Sequence, residues 1–397
     1  MVANSSRSGV PGDRDTGEVS LIERRPLTLV QPVLVSAVVP LRGNHLGSLD
    51  GLRALSILLV ILSHSAGALG IGGRSYLFIF IGHLGVSIFF VISGLLITWL
   101  MIREREATGR VSLRDFYIRR TLRILPVFWL FLLCVMGLRS AQVIAVSGID
   151  LLRAFTFTRN YPIWVHGQEY SWWLNHAWSL SLEEQFYLVW PSLFAFLSWK
   201  GSRYFAAATA LAGPALRVGS YYLLPGLRGY GRGMFHTSID LLMMGCVAAF
   251  ALDSPRWRER LKKIPANAVV VAAIGFLFGL EPWILGHLRA HTFGNALAEV
   301  FMPTFEGCMI AASILVLVTG TGGMVRTVLN QRLVMHVGKI SYGLYLWQQL
   351  FFLPGSVPSV AGLLWRWTAA YLMALTSFHL LEKPMLGLRK RFRRVPE

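Results

Sequence analysis

The chain has 397 residues, of which 54% are hydrophobic and 15% are charged. This share of apolar residues is above that of ordinary soluble domains, so the composition excludes a soluble globular protein and indicates a polytopic membrane protein. The formal charge of +18 would suggest a nucleic-acid partner in a soluble protein. In a membrane protein, basic residues gather instead in cytoplasmic loops, so we expect no nucleic acid.

Apolar runs long enough to cross a membrane predict an all-α fold, a bundle of about ten transmembrane helices. The runs begin near residues 53, 77, 122, 185, 204, 236, 266, 297, 333 and 360. With a cytoplasmic N-terminus, the inner segments carry several times as many Lys and Arg as the outer ones, which predicts that both termini lie on the cytoplasmic side of the membrane. We predict a disordered or membrane-surface tail over residues 1–46, a membrane domain over 47–381 and a basic cytoplasmic tail over 382–397.

The first span, Leu49–Ser65 (LDGLRALSILLVILSHS), carries Asp50 and Arg53 at its head and His64 in its apolar body. At about 100° and 1.5 Å per residue, Arg53 and His64 share one helix face and lie roughly 16 Å apart along the axis. Ionisable residues in spans are costly and usually face the bundle interior. A structural hydrogen bond between helices is the alternative for His64, but its alignment with Arg53 and Asp50 favours a functional role.

A second cluster, Arg119, Arg120 and Arg123, precedes Pro126 at the start of the third span. Arginines four residues apart are neighbours on a helix, and guanidinium groups bind phosphate through paired hydrogen bonds. The commoner role of such a cluster is to anchor the helix to lipid phosphates. The sequence leaves both alternatives open.

Acidic residues mark the fourth span, where HAWSLSLEEQFYLVWP places Glu183 and Glu184 at the expected helix start. Adjacent carboxylates point about 100° apart, so at most one of the two is expected to face a site. Capping of the first helical turn is the alternative role. The preceding segment, Arg139 to Ser181, is too polar and aromatic to span and is predicted to be an outer loop with Tyr161, Trp164, Tyr170, Trp172 and Trp173 at interfacial depth.

The later spans contain further polar residues. Asp240 is a charge in the sixth span that needs a partner, and Glu299 and Glu306 fall on one helix face that could line a cavity. Tyr342 and Gln348 make the ninth span polar, either as contacts between helices or as substrate contacts. The three cysteines form no C-x-x-C pair and are interpreted as core residues, with no metal site.

These features together suit transfer of an acyl group from coenzyme A. An arginine-rich inner mouth suits its phosphorylated nucleotide, and an imidazole deeper in the bundle suits the arriving thioester. An imidazole that takes the proton from an attacking hydroxyl typically raises the reaction rate by a factor of about 10² to 10⁴.

Five motifs in order carry a resemblance to a known family. They are LDGLRALSILLVILSHS, GHLGVSIFFVISGLLIT, FYIRRTLRILPVFW, HAWSLSLEEQFYLVWP and SYGLYLWQQ. Over roughly residues 47 to 394, the chain resembles the acyltransferase-3 family of bacterial integral-membrane O-acyltransferases. The resemblance implies transfer of an acyl group, most often acetyl, from cytoplasmic acyl-CoA to a hydroxyl of a surface or exported carbohydrate or glycolipid.

The resemblance also implies roles for individual residues. His64 is the expected catalytic base, with Arg53, Asp50 and Glu183 as further catalytic residues, Arg119, Arg120 and Arg123 as the acyl-CoA site, and Glu184, Trp178, Asp240 and Tyr342 as substrate contacts. The chain departs from the family pattern at two positions. Ser238 stands where an Arg often precedes Asp240, which puts a charge pair in doubt, and Gln348 stands where a His is usual.

Two other functions stay open at this stage. One is acylation of a small lipophilic product such as a macrolide sugar. The other is a proton-coupled secondary transporter, in which Arg53, His64, Asp240 and the glutamates form a path, although the sequence shows no inverted repeat. Because the sequence ends at Glu397, without the fused hydrolase-like domain of some family members, we expect the membrane unit or a separate partner to complete transfer.

Overall fold

A computed structural model of the chain describes residues 47–70, 76–161, 171–227, 233–288, 292–320, 323–357 and 359–392. All of them belong to one compact unit, Leu41–Glu397. The predicted tail over residues 1–46 and the last residues of the basic tail, 393–397, lie outside the described residues. So do Trp164 and Tyr170 of the predicted outer loop.

The described residues form α-helices joined by turns and short 3₁₀ or π segments, without a β-strand, so the predicted all-α class is confirmed. The helices are α1 Gly47–Ala68, α2 Tyr76–Thr108, α3 Leu113–Ser140, α4 Gly148–Phe155, α5 Ala177–Phe196, α6 Trp199–Leu211, α7 Gly213–Leu223, α8 Phe235–Asp253, α9 Pro255–Lys262, α10 Ala266–Ile274, α11 Glu281–Leu288, α12 Thr292–Thr319, α13 Met324–Leu329, α14 Arg332–Lys339, α15 Ser341–Trp347, α16 Ala361–Ser377 and α17 Lys383–Arg389.

Five of the described helices, α1, α2, α3, α8 and α12, have the length and apolar composition needed to cross a membrane. A sixth span arises if α9 is joined to Ala266–Leu280, a pair bent by 81°. The other predicted spans fall on shorter or interrupted helices. The fifth, for example, is divided between α6 and α7 at Gly213.

Two helices begin earlier than the apolar runs predict. Helix α3 begins at Leu113 because the hydroxyl of Ser112 accepts the backbone N–H of Asp115 at 3.4 Å and caps the first turn. The basic cluster that follows is therefore helical. Helix α5 begins at Ala177 and has no acidic residue in its first turn, so the expectation that Glu183 and Glu184 cap this helix is wrong.

Helix α2 lies at the centre of the bundle, packed against α1 and α8. Its crossing with α8 is close because glycines face backbone on both sides. A side chain at Gly94 would collide with the carbonyl of Leu242, and one at Gly245 would collide with the carbonyl of Val91. Small residues allow such close backbone contact between membrane helices, and this contact fixes the helix that carries Ser93 and Phe90.

Candidate active site

A cavity of about 80 Å³ lies between α1, α2, α3, α5 and α15. We call it the arginine cavity after three of its lining residues. Its polar lining consists of Arg53, Ser93, Arg120, Arg123, Ser179, Glu183, Tyr187, Ser341, Tyr342 and Tyr345. The structure therefore brings together residues from all five motifs that the sequence singled out.

The arginines of the cavity come from two helices. Arg53 lies on α1, and Arg120 and Arg123 lie three residues apart on α3, so they share a helix face. Arg119 points elsewhere. Its Nη2 lies 2.9 Å from Oε2 of Glu104, and its Nη1 donates to the carbonyl of Phe392 at 2.7 Å. The arginine pair in the cavity is thus Arg120 and Arg123, and Arg119 joins separate parts of the chain.

The charges of these arginines are not neutralised by ion pairs. Among the described residues, neither Arg53, Arg120 nor Arg123 has a carboxylate within salt-bridge distance. The guanidinium carbon of Arg120 lies 4.7 Å from the ring centroid of Tyr187, a cation–π contact. Three cations close together inside an apolar bundle favour a bound anion, because unpaired charges are costly in such surroundings.

Glu183 is the carboxylate of the cavity. Its Oε1 accepts a hydrogen bond from Ser93 Oγ at 2.7 Å, and the hydroxyl of Tyr187 donates to Ser93 Oγ at 3.3 Å. Glu184 does not line the cavity, as expected for adjacent residues on a helix. Tyr342 lines it, but its hydroxyl donates to the carbonyl of Ile124 at 2.9 Å, which holds the ring against α3.

His64 lies outside the lining of the arginine cavity. Its Nδ1 is 2.7 Å from Oε1 of Gln348, and its ring packs edge-on against Trp172 with centroids 5.1 Å apart. Gln348 is fully buried, and its Nε2 donates to the carbonyl of Tyr345 at 3.3 Å. This bond turns the amide oxygen towards His64, so Nδ1 carries the proton and Nε2 has a free lone pair.

Tyr345 connects His64 to the arginine cavity. The tyrosine lines the cavity, and its backbone carbonyl holds the amide of Gln348. Its hydroxyl is hydrogen-bonded to the hydroxyl of Ser179, another lining residue. His64 and the cavity are therefore joined through the amide of Gln348 and through Tyr345, although His64 is not part of the lining.

Asp50 lies in the first turn of α1, outside the cavity lining. Its backbone carbonyl lies so close to Gly338 that a side chain at that glycine would collide with it. This contact fixes α1 against α14. The backbone of Asp50 thus contributes to the packing of α1 against α14.

A second, smaller cavity of about 20 Å³ has a different character. Its polar lining consists of His83, Ser87, Trp178, Arg217, Thr237, Ser238 and Glu306. The two cavities share Val86 and Phe90 as lining residues, so these apolar side chains lie between them. Its volume is enough for one water-sized group.

Asp240 supports this second cavity through Arg217. Its Oδ2 lies 2.6 Å from Arg217 Nη2 and accepts the hydroxyl of Thr304 at 2.7 Å. The doubt raised by Ser238 is thereby resolved, because the arginine that pairs with Asp240 comes from α7. Sequence reasoning missed Arg217, although an arginine inside a predicted span is itself a signal of a buried partner.

Replacing Asp240 by Asn should destabilise the protein by about 3–5 kcal/mol, because it leaves the buried Arg217 without its counter-charge. Thermal unfolding in detergent measures this loss. The double variant Arg217→Met, Asp240→Leu should recover most of the stability, since it removes both charges. A single variant as stable as the wild type would contradict the importance of this pair.

The Acyltransferase domain family matches residues 46–380, most of the chain. The chain belongs to the acyltransferase-3 family. The resemblance drawn from the five motifs is thus confirmed, and membership agrees with a helical membrane bundle.

Relatives of this acyltransferase-3 protein are O-acetyltransferases by name. It is 26% identical over 365 residues to O-acetyltransferase OatA of Staphylococcus aureus strain NCTC 8325, a match covering 86% of this chain and 57% of OatA. It is 28% identical over 346 residues to a putative O-acetyltransferase of S. aureus strain COL, covering 79% of this chain and 53% of that protein. The chain spans little more than half the length of these relatives. No solved structure matches it.

The described part of this acyltransferase-3 protein contains no group of three or more His, Cys, Asp or Glu side chains that could hold a metal ion. The groups on which its candidate chemistry rests are the arginines and the carboxylate of the arginine cavity and the imidazole of His64 beside it. The sequence did not indicate that Gln348 positions His64 or that Arg217 pairs with Asp240.

Proposed function

We propose that the chain is an integral-membrane O-acetyltransferase that moves an acetyl group from cytoplasmic acetyl-CoA to a hydroxyl of a surface or exported carbohydrate. The observation that carries this proposal is the arginine cavity, in which Arg53, Arg120 and Arg123 lack ion pairs among the described residues. Family membership and relatives named O-acetyltransferases support the acetyl group. Membership of an acyltransferase family also favours this function over a transporter.

The donor would enter with its thioester arm first. A cavity of about 80 Å³ is too small for a nucleotide, so the nucleotide would remain at the mouth while the thin pantetheine arm enters. Guanidinium groups bind phosphate oxygens through paired hydrogen bonds, which suits Arg120 and Arg123. Arg53 on α1 and Glu183 on α5 would orient the arm.

His64 would act as general base. Its Nε2 takes the proton of the acceptor hydroxyl as the hydroxyl oxygen attacks the thioester carbonyl. The new carbon–oxygen bond forms, the carbon–sulfur bond breaks, and the imidazolium returns the proton to the departing thiolate. Gln348 holds the required tautomer by accepting from Nδ1, the role that a carboxylate has in other His-based sites.

Replacing Gln348 by Ala should lower turnover by about fivefold to tenfold, the effect of losing one neutral hydrogen bond worth about 1 kcal/mol. The Michaelis constant for acetyl-CoA should stay unchanged, because Gln348 does not line the cavity. Steady-state kinetics separates the two constants. Gln331→Ala, an exposed glutamine, is the control. A raised donor Michaelis constant with unchanged turnover would contradict the positioning role.

The acceptor would approach from the opposite side of the membrane. The second cavity contains hydroxyl, imidazole, carboxylate and guanidinium groups, a mixture of donors and acceptors that suits a neutral hydroxyl. Trp178, on its wall, would contact the sugar that carries this hydroxyl. Asp240 would contribute by holding Arg217 in place. Membrane lipids would surround the helical bundle.

The experiment that tests the proposal follows thiol release from acetyl-CoA by purified protein in detergent, with and without a crude glycan extract. We expect release that depends on both the protein and the extract. An extract of small lipophilic metabolites, used in parallel, tests acylation of a small product. No thiol release with either extract would contradict the proposal.

A further inference from the structure

Six hydroxyl groups belong to residues that line the arginine cavity, and five of them form hydrogen bonds within the protein. The five are those of Ser93, Ser179, Tyr187, Tyr342 and Tyr345. The sixth, the hydroxyl of Ser341, is fully buried and has no hydrogen-bond partner among the described residues. A hydrogen-bond donor is therefore left over in the lining of this cavity.

A buried serine in a helix usually satisfies its hydroxyl on its own helix. Ser56, Ser65 and Ser181 do so, and each donates to the backbone carbonyl four residues earlier. Ser341 is the first residue of α15 and makes no such bond. Because a buried hydroxyl without a partner costs free energy, one that lines a cavity indicates that a ligand supplies the acceptor.

Helix α15 begins against α3, the helix that carries Arg120 and Arg123. The hydroxyl of Tyr342, the second residue of α15, donates to the carbonyl of Ile124 at 2.9 Å. Ile124 directly follows Arg123 in the chain. The start of α15, with Ser341, therefore packs against the turn of α3 that carries the arginines.

The same helix ends beside His64. Gln348 begins the 3₁₀ turn that continues α15, and its Oε1 lies 2.7 Å from Nδ1 of His64. Ser341, Tyr345 and Gln348 are spaced by four and then three residues, so they share one helix face and span roughly 10 Å along the axis. A donor with its phosphates at Arg120 and its thioester at His64 therefore extends along this face, past Ser341.

The pantetheine arm of coenzyme A carries two amide groups between the nucleotide and the sulfur atom. An amide carbonyl that enters an apolar bundle needs a hydrogen-bond donor, and a hydroxyl without a partner supplies one. The thioester carbonyl offers the same acceptor chemistry. It belongs at His64, however, at the opposite end of α15 from Ser341.

We propose that the hydroxyl of Ser341 donates a hydrogen bond to an amide carbonyl of the donor's pantetheine arm and so binds the arm between the arginines and His64. This role rests on the proposed function, in which acyl-CoA is the donor. It adds to the donor site a residue for which the sequence indicated no role.

The test measures binding to purified protein by calorimetry in detergent. Its ligands are coenzyme A, acetyl-CoA and adenosine 3′-phosphate 5′-diphosphate, which is the nucleotide of coenzyme A without the arm. Ser341→Ala should weaken coenzyme A binding by about fivefold to tenfold, the effect of losing one neutral hydrogen bond. Binding of the nucleotide should stay unchanged. Because coenzyme A has no thioester, its weaker binding reports on the arm.

Ser202 on α6 offers a matched control. Its hydroxyl is also fully buried without a hydrogen-bond partner among the described residues, but Ser202 lines neither of the two cavities. Ser202→Ala should bind all three ligands like the wild type. Without ligand, both variants should unfold at no lower temperature than the wild type, because neither loses a bond within the protein.

Four results would overturn the assignment of Ser341 to the arm. They are equal coenzyme A affinity of wild type and Ser341→Ala, equal weakening of coenzyme A and the nucleotide, weakening confined to acetyl-CoA, and a lower unfolding temperature of Ser341→Ala alone. The third would assign the hydroxyl to the thioester carbonyl. A wild type that binds neither coenzyme A nor the nucleotide would overturn the proposed function itself, which distinguishes the two failures.

Discussion

Replacing His64 by Ala should lower acetyl transfer by about 10² to 10⁴, the usual contribution of a positioned general base. The loss should appear in turnover, with donor binding retained, because His64 lies outside the arginine cavity. The physical reason is the bond to Gln348, which leaves Nε2 as the atom able to accept a proton. Thiol release at saturating acetyl-CoA measures the effect.

A matched control is available on α14. His336 is also a partly buried histidine with one hydrogen bond, from its Nε2 to the hydroxyl of Tyr371 at 3.1 Å. His336→Ala should retain turnover close to that of the wild type. A His64→Ala protein with full turnover would remove His64 from the proposed mechanism.

Removing one charge from the arginine cavity should act on the donor instead. Arg120→Gln should raise the apparent Michaelis constant for acetyl-CoA by about 10- to 100-fold, since a hydrogen bond to a charged group is worth about 1.5–3 kcal/mol. The guanidinium group of Arg120 lines the cavity and has no ion pair among the described residues. Initial rates against acetyl-CoA concentration give the constant.

The control for this variant lies on the same helix. Arg114 is exposed near the start of α3, so Arg114→Gln removes an equal charge without touching the cavity. Its donor saturation should match that of the wild type. If Arg120→Gln also has the wild-type Michaelis constant for acetyl-CoA, the arginine cluster is an anchor to lipid phosphates and not a donor site.

Much of the fold was predictable because apolar length is a strong signal. Eight of the ten predicted spans coincide with the start of a helix to within six residues, among them α8 at Phe235 and α14 at Arg332. The early starts of α3 and α5 were missed because their first turns are polar or basic, so hydropathy alone does not include them. Only a cap such as Ser112 marks such a start.

The site was predictable only in part. Periodicity correctly placed Arg53 on an interior face and indicated that at most one of Glu183 and Glu184 lines the cavity. It could not show that Arg120, and not Arg119, lines the cavity together with Arg123. Contacts with neighbouring helices decide which face of a helix lines a cavity. Arg119 is held elsewhere by the carboxylate of Glu104, 15 residues before it, and by the backbone carbonyl of Phe392.

The site features that the sequence did not predict depend on contacts between residues far apart in the chain. Gln348 lies 284 residues after His64, and Arg217 lies 23 residues before Asp240. No sequence pattern shows which residue is the partner in either pair. In the first case the departure from the family, a Gln in place of a His, supplies the group that positions His64.

The measurement that tests the central claim most directly follows radiolabelled acetyl groups from acetyl-CoA into the glycan fraction of membrane vesicles whose cytoplasmic face is exposed. Vesicles with the wild-type protein should transfer label to glycan, and vesicles with His64→Ala at the same protein level should not. Equal transfer by both, or acetyl-CoA left intact by the wild type in the presence of glycan, would contradict acetyl transfer by this protein through His64.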